Sequence, residues 1–307
     1  MNRLIKRRSD RPGILTRIYR ARNAYVFVLP FMGLFFIFTV LPVLMSIGLS
    51  FTSFNMLQTP EFVFLDNYVT LFMNDSVFVT ALQNTLMIAV ITGPAGYLMS
   101  LMFAWFINEL SPKMRAVMTL IFYAPNIVGG MNIIWMTLFS SDTYGYLNGL
   151  LIKLGIITEP IQWLKNPTYM FGILVFILLW SSLGTGFLSF IAGFQGMDRA
   201  LKEAGAIDGI RNRWQELWFI TLPVMRPQMM FGAIMSITSS LGVGAVITTT
   251  FGYPTTDYAL HTIVTHLDDY GGIRFEMGYA SAIATVLFII MIVANQVIQR
   301  VLTKVGT

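Results

Sequence analysis

Charge is absent from six long intervals of this 307-residue chain, and their spacing organises the rest of the reading. From one Asp, Glu, Lys or Arg to the next, the uncharged runs are Asn23 to Pro60, Ser76 to Asn108, Ala116 to Ser141, Asn166 to Met197, Pro227 to Thr256 and Met277 to Gln299, the shortest holding 23 residues. A helix that crosses hydrocarbon needs about 20 consecutive residues with few or no ionised groups. The pattern predicts spans at roughly 26 to 50, 84 to 106, 117 to 139, 170 to 192, 229 to 250 and 279 to 299. Apolar and polar residues do not alternate along these runs, which speaks against a barrel. Backbone groups in lipid must pair internally, so each span is expected to be a helix. The expected class is all-α and integral to a membrane. Residues 1–25 read as a basic tail and 26–302 as one six-span domain, which contains a long cytoplasmic loop over 195–227.

Composition agrees, since 55% of residues are hydrophobic and only 11% charged. Position matters more than amount, because Lys and Arg concentrate on the cytoplasmic side of membrane proteins. The N-terminal tail carries Arg3, Lys6, Arg7, Arg8, Arg11, Arg17, Arg20 and Arg22. The second loop carries Lys113 and Arg115; the fourth carries Arg199, Lys202, Arg211, Arg213 and Arg226; and Arg300 and Lys304 close the chain. The first, third and fifth loops hold only Lys153, Lys165 and Arg274. Both termini are therefore expected in the cytoplasm. The net charge of +5 reflects that basic rim and gives no reason to expect nucleic acid as a partner. The first apolar run is far longer than a signal-peptide core of about 7 to 15 residues and reads as a retained span.

The spans as drawn contain no Asp, Glu, His, Lys or Arg, so proton-coupled carriage through them is not expected. No Gly-Lys-Ser/Thr loop is present to cradle a nucleotide, so any ATP-driven work needs a partner chain. His261 and His266, five residues apart, lack the spacing of three or four that suits a helical metal site and read as surface histidines.

The fourth loop is patterned. Asp198 is placed to cap a short helix over 199–208, Gly209 to stop it, and a second helical stretch over 213–221 ends at Pro223. The cluster Ala204-Gly205-Ala206 removes bulk from one turn, as a docking surface would require, with Glu203 and Asp208 as charged contacts. A hairpin resting on lipid headgroups is the other reading. The spacing Glu203-Ala204-Gly205, then Asp208-Gly209, then Ile220-Thr221-Leu222-Pro223 resembles the EAA loop of ABC importer permeases. Gly205 stands where that pattern has alanine, and ten residues instead of nine separate Gly209 from Ile220. One extra residue would turn the second helix by about 100°.

The resemblance extends to the binding-protein-dependent sugar permeases, the group of the maltose and glycerol-3-phosphate importers. Asn84-Thr85, Pro125, Trp135, Gly145, Asn148, Leu151, Trp180, Gly184, Ala192-Gly193 and the run Gly278 to Ala282 follow that family's order, and Gly252-Tyr253-Pro254 is similar to its Gly-Gly-Pro. It implies a type I importer permease fold in the cell membrane of a prokaryote. It also implies no cofactor in this chain, ATP and Mg on a pair of ATP-binding subunits gripping the fourth loop, a second related permease, and an external solute-binding protein that delivers carbohydrate. Glycerol-3-phosphate or another organic phosphate is the alternative cargo. A non-transporting anchor subunit and a passive channel are alternative roles.

A sugar path needs hydroxyl partners and aromatic faces inside the bundle. Ser236, Ser239 and Ser240 share a helical face, and Asn84, Asn126, Asn132 and Trp135 are further candidates, although small residues on such a face also serve close helix packing. Pro94 between Gly93 and Gly96, and Pro125 before Gly129-Gly130, are expected to interrupt their helices.

Overall fold

The structure is a computed structural model and describes residues 21–128, 130 and 132–303. The described residues are helical apart from loops and one isolated bridge, Thr52 to Phe62. Four helices are long and apolar enough to cross a membrane: α1 (Arg22–Leu49), α2 (Ser76–Asn108), the run Pro167–Gln195, and the helix from Met277. Two further spans are bent pairs, α3 (Pro112–Ile127) with α4 (Asn132–Leu138), and α10 (Arg226–Leu241) with α11 (Gly244–Phe251), the latter turning by 45°. Counting each pair once, the spans are the six that the charge-free intervals predict. In the segments between them lie α5 (Tyr146–Lys153), α8 (Arg199–Ile207), α9 (Arg213–Glu216) and α12 (Ile263–Asp268). The run Pro167–Gln195 consists of α6 (Pro167–Ser181) and α7 (Thr185–Gln195), and the last helix is α13 (Met277–Thr303).

Helix α2 is the axis of the bundle. It starts eight residues before the predicted span because Asp75 caps it, the carboxylate accepting the Phe78 amide at 2.9 Å. Pro94 does not break it, contrary to expectation. The glycines on either side face neighbouring helices instead. Ser236 of α10 donates to the Gly93 carbonyl at 2.7 Å, and a Cβ on Gly96 would meet Ser182 at 2.8 Å. Close packing through small residues, with a hydroxyl bonded across the seam, holds α2 and α10 together. The interruption expected near Pro125 is present, because α3 ends at Ile127 and Gly130 takes a φ of +85° that favours glycine.

Three buried apolar clusters stack along the bundle. One joins Trp105 and Ile107 of α2 to Phe187, Phe190 and Phe194 of α7 and to Leu217 and Leu222 of the fourth loop. A central one holds Ile88, Leu174, Ile247 and Leu260, and the third, around Phe78, Ile263, Tyr279 and Ile283, closes the opposite end. Helix α1 buries none of its residues in this chain, and Phe27 is 85% exposed. An apolar face of that extent is compatible with lipid or protein around it and not with water.

Candidate functional site

The fourth loop folds onto itself. Asp198 caps α8 by accepting the Ala200 amide at 3.0 Å, and Gly209, with φ of +94°, stops it, both as predicted. Asn212 starts α9 by accepting the Gln215 amide at 2.8 Å, while the Gln215 side chain accepts the Arg211 amide at 3.0 Å. The helix then widens into a single π turn over Leu217–Thr221. A π turn holds one residue more than an α turn, and from within it Ile220 points at Gly205.

Gly205 is buried, and a Cβ there would run into Ile220 Cδ1 and come within 3.2 Å of Ile210 Cδ1. Its small size therefore serves the inside of the hairpin, which corrects the reading of the whole cluster as an outward docking face. Ala204, Ala206, Glu203 and Asp208 are exposed, and Ile207 projects at 87% exposure. Lys202 pairs with Glu216 at 2.8 Å, and Arg213 bridges Glu216 at 2.9 Å and Glu109, just past the end of α2, at 3.1 Å. Leu217 and Leu222 sink into the cluster around Trp105, and Pro223 is half-buried as the next span begins. These contacts join α8, through the second arm of the hairpin, to α2 and α7.

Deeper in the bundle lies a cavity of about 270 Å³ whose polar lining is made of hydroxyls and one amide. Four of the seven predicted path residues line it: Asn126, Ser236, Ser239 and Ser240. Asn126 donates to the Leu183 carbonyl at 2.9 Å across the break between α6 and α7, and Ser240 donates to Ile237 at 2.9 Å. Ser236 and Ser240 pack on the glycines of α2 and also face the cavity. The other three lie outside it. Asn84 donates to the Tyr258 and His261 carbonyls, Asn132 donates to Thr249 at 3.0 Å, and Trp135 stands in an aromatic cluster with Phe139, Phe176 and Trp180.

Thr92, Tyr97, Ser100, Ser182 and Thr185 also line the cavity and were not anticipated. Thr92, Gly96 and Ser100 recur every four residues on α2, a polar and small stripe in an apolar helix that the sequence does display. The Tyr97 hydroxyl is buried and finds no hydrogen-bond partner among the described residues. Among the described residues no ionisable side chain other than this phenol lines the cavity.

The two histidines are not on the surface. His261 is 1% and His266 2% exposed, because the segment after α11 folds back onto the start of α2, where the Ile263 amide donates to Thr85 Oγ1 at 2.9 Å. Their rings lie 3.0 Å apart, Nε2 of His261 to Nδ1 of His266, and His266 Nε2 meets Asp75 Oδ2 at 3.0 Å. Spacing of five residues placed them away from a helical face, but burial was decided by contacts nearly two hundred residues away in sequence.

A helical bundle of candidate membrane spans, with a cavity among them and a folded hairpin between two of them, is the architecture of a membrane transport component. The chain belongs to the family of binding-protein-dependent transport system inner membrane components, whose model matches residues 92–305. It is 33% identical over 276 residues to the probable ABC transporter permease protein YesP of Bacillus subtilis strain 168, covering 87% of this chain and 86% of that one. It is 31% identical to the lactose transport system permease protein LacF of Rhizobium radiobacter, covering 72% of each. A solved bacterial alginate ABC transporter, in complex with an alginate pentasaccharide-bound periplasmic protein, contains a similar chain with a TM-score of 0.75, 26% identity and coverage of 96% and 99%.

Proposed function

We propose that this chain is one membrane-spanning half of an ATP-driven importer of a neutral oligosaccharide, lying in the cell membrane of a prokaryote with both termini in the cytoplasm. The observation that carries the reading is the cavity between α2, α7 and α10, lined in part by hydroxyls and an amide and, among the described residues, by no charged side chain. Hydroxyls and an amide match the donors and acceptors of a sugar. Among the described residues no lysine, arginine or histidine lines the cavity, so glycerol-3-phosphate or another organic phosphate would have only the N-terminus of α7, at Gly184 and Thr185, to bind it and no cation to pair with. A non-transporting anchor has no use for such a cavity. The lactose named for LacF supports a neutral saccharide, and the alginate named for the solved transporter, an acidic polysaccharide, supports carbohydrate as the wider class.

In this reading the exposed side of α8, with Glu203, Ala204, Ala206, Ile207 and Asp208, seats in a pair of ATP-binding subunits that hold ATP and Mg. Gly205, Gly209, Ile220, Leu222 and Pro223 keep that helix rigid on its hairpin, and the π turn and the Arg213 bridges pass its motion to α2 and α7. A second permease completes the path, and an external solute-binding protein delivers the sugar. This chain catalyses no reaction of its own.

Uptake of a radiolabelled oligosaccharide panel in cells with and without the chain tests the proposal. Uptake of at least one neutral sugar that stops on ATP depletion is the expected result; flux that survives depletion would mean a passive channel, and an inert panel would count against the cargo. Tyr97→Phe removes one hydroxyl from the cavity. A hydrogen bond of about 1 kcal/mol corresponds to roughly a fivefold rise in the sugar concentration at half-maximal uptake, with the maximal rate little changed. An unchanged half-saturation would take Tyr97 out of the path.

A further inference from the structure

The buried polar chain at the start of α2 has no part in sugar passage or ATPase docking. Its links run from Thr265 through His261 and His266 to Asp75 and Tyr279. Thr265 Oγ1 lies 3.2 Å from His261 Nδ1, His261 Nε2 lies 3.0 Å from His266 Nδ1, His266 Nε2 lies 3.0 Å from Asp75 Oδ2, and the Tyr279 hydroxyl donates to the same carboxylate oxygen at 2.9 Å. Three parts of the molecule meet there: the cap of α2, the segment after α11, and the first turn of α13. Asn84 and Thr85 of α2 bond the backbone of the same segment.

The ring nitrogens dictate how this chain handles protons. An ionised Asp75 accepts a hydrogen from His266 Nε2, so in a neutral pair His266 Nδ1 accepts from His261 Nε2, and His261 Nδ1 is left to accept from Thr265. One added proton fits without loss of a bond. It enters at His261 Nδ1, which now donates to Thr265, whose own hydrogen turns to the Thr262 carbonyl 2.9 Å away; the His261 Nε2 proton passes to His266 Nδ1. The charge then sits on His266 beside Asp75. A second proton has no such place. Both facing nitrogens would carry hydrogens, and two cations would stand in contact inside a buried cluster.

The surroundings do not relieve that conflict. Tyr253 and Tyr258 pack beside His261, and Tyr270 packs beside His266, stacking in turn on Tyr279. Asp269, whose charge favours protonation of both rings, is itself paired with Arg274 at 2.7 Å, and the Arg274 guanidinium lies over the Tyr270 ring at 4.3 Å. Glu276, at the foot of α13, is exposed.

We propose that this side-chain chain is a proton-binding latch, which holds the segment between the fifth and sixth spans onto α2 and α13 near neutral pH and releases it when the outer solution is acid. It rests on the proposed orientation, which puts this end of the bundle outside. The direction is consistent for each group. Burial pushes His261 down to about 4, and burial pushes His266 below the ordinary imidazole value. Burial alone would raise Asp75, but the Phe78 amide, Tyr279 and His266 together hold it below the usual carboxylate value. Lowered values in the latched state mean that its stability is complete above the ordinary imidazole value near 6.5 and is lost as pH falls below it, through the window toward about 4.

The chain has no cysteine, so a single one can report release. Thr85→Cys places a thiol at a fully buried position under the latched segment, and Tyr144→Cys, at a residue 95% exposed, serves as the reference for the pH dependence of thiol reactivity itself. Both are labelled with a membrane-impermeant maleimide in sealed proteoliposomes of the complete importer, with the outside pH stepped from about 7.5 to about 5 and the inside held constant. The ratio of the two labelling rates is expected to rise roughly tenfold, the change that one unit of differential protonation carries, and to stay flat when His266→Gln or His261→Gln is added. A flat ratio without the histidine substitutions, or the same rise with both of them, overturns the latch. Failure of the Tyr144→Cys protein to label from outside overturns its outer placement. Neither readout depends on which sugar is carried, so the cargo can be wrong and the latch right.

Discussion

Cells carrying Gly205→Glu are expected to take up no sugar above the background of cells lacking the chain, although the protein is inserted and retained in the membrane. Any side chain at this position points into the hairpin, where Ile220 and Ile210 already fill the space. A carboxylate there would be buried without a partner, or would force α8 away from the π turn that carries Ile220. The cluster around Trp105 and Phe190, which holds the membrane part together, is not touched. Gly205→Ala is the informative control. Its methyl group meets the far ends of two flexible side chains, Ile220 and Ile210, which can turn aside, so uptake within about threefold of wild type is expected, a cost under 1 kcal/mol. Adding Ile220→Val, which removes the closer end, should bring it back toward wild type. Normal uptake by Gly205→Glu would show that the hairpin does not couple, while severe loss in Gly205→Ala that Ile220→Val fails to repair would show that Gly205 acts through something other than Ile220.

Asn148→Leu is expected to lower the thermal unfolding midpoint of the purified complex by roughly 5 to 10 °C, from a loss of about 3 kcal/mol. Asn148 is fully buried outside the membrane-spanning helices, on α5. Its amide donates to the carbonyls of Ser140, Asp142 and Ile161 and accepts from the Ile161 amide and the Trp163 indole, which fastens both arms of the loop between the third and fourth spans. Leucine is similar in volume but satisfies none of these groups, and buried polar groups left unpaired are costly. The fall is read by differential scanning fluorimetry at constant lipid composition. An unchanged midpoint would mean that water enters and replaces the side chain at no loss.

These two positions show different degrees of legibility. The capped ends of α8, at Asp198 and Gly209, follow from local rules, because a cap bonds its own next turn and a left-handed stop needs glycine. The inward direction of Gly205 does not, since it depends on a π turn that no local pattern marks. Asn148 stands out in the sequence only as a recurring residue of the resemblance; that five hydrogen bonds converge on it is a property of two loop arms brought together. The cavity divides the same way. The serine face of α10 was legible as a stripe, and the stripe of Thr92, Gly96 and Ser100 on α2 could have been, but Tyr97 and the loss of Asn84, Asn132 and Trp135 to other contacts could not.

Hydropathy and charge placement along the chain were sufficient for the six spans and their helical nature, because lipid imposes those on any segment regardless of its neighbours, and local caps were sufficient for the hairpin between the fourth and fifth. Which polar residues face a common cavity, which glycine is an interior contact, and that two histidines are sealed beside Asp75 came only from the packed bundle. Those outcomes depend on pairs separated by tens to nearly two hundred residues, and one-dimensional patterns hold no record of which faces meet.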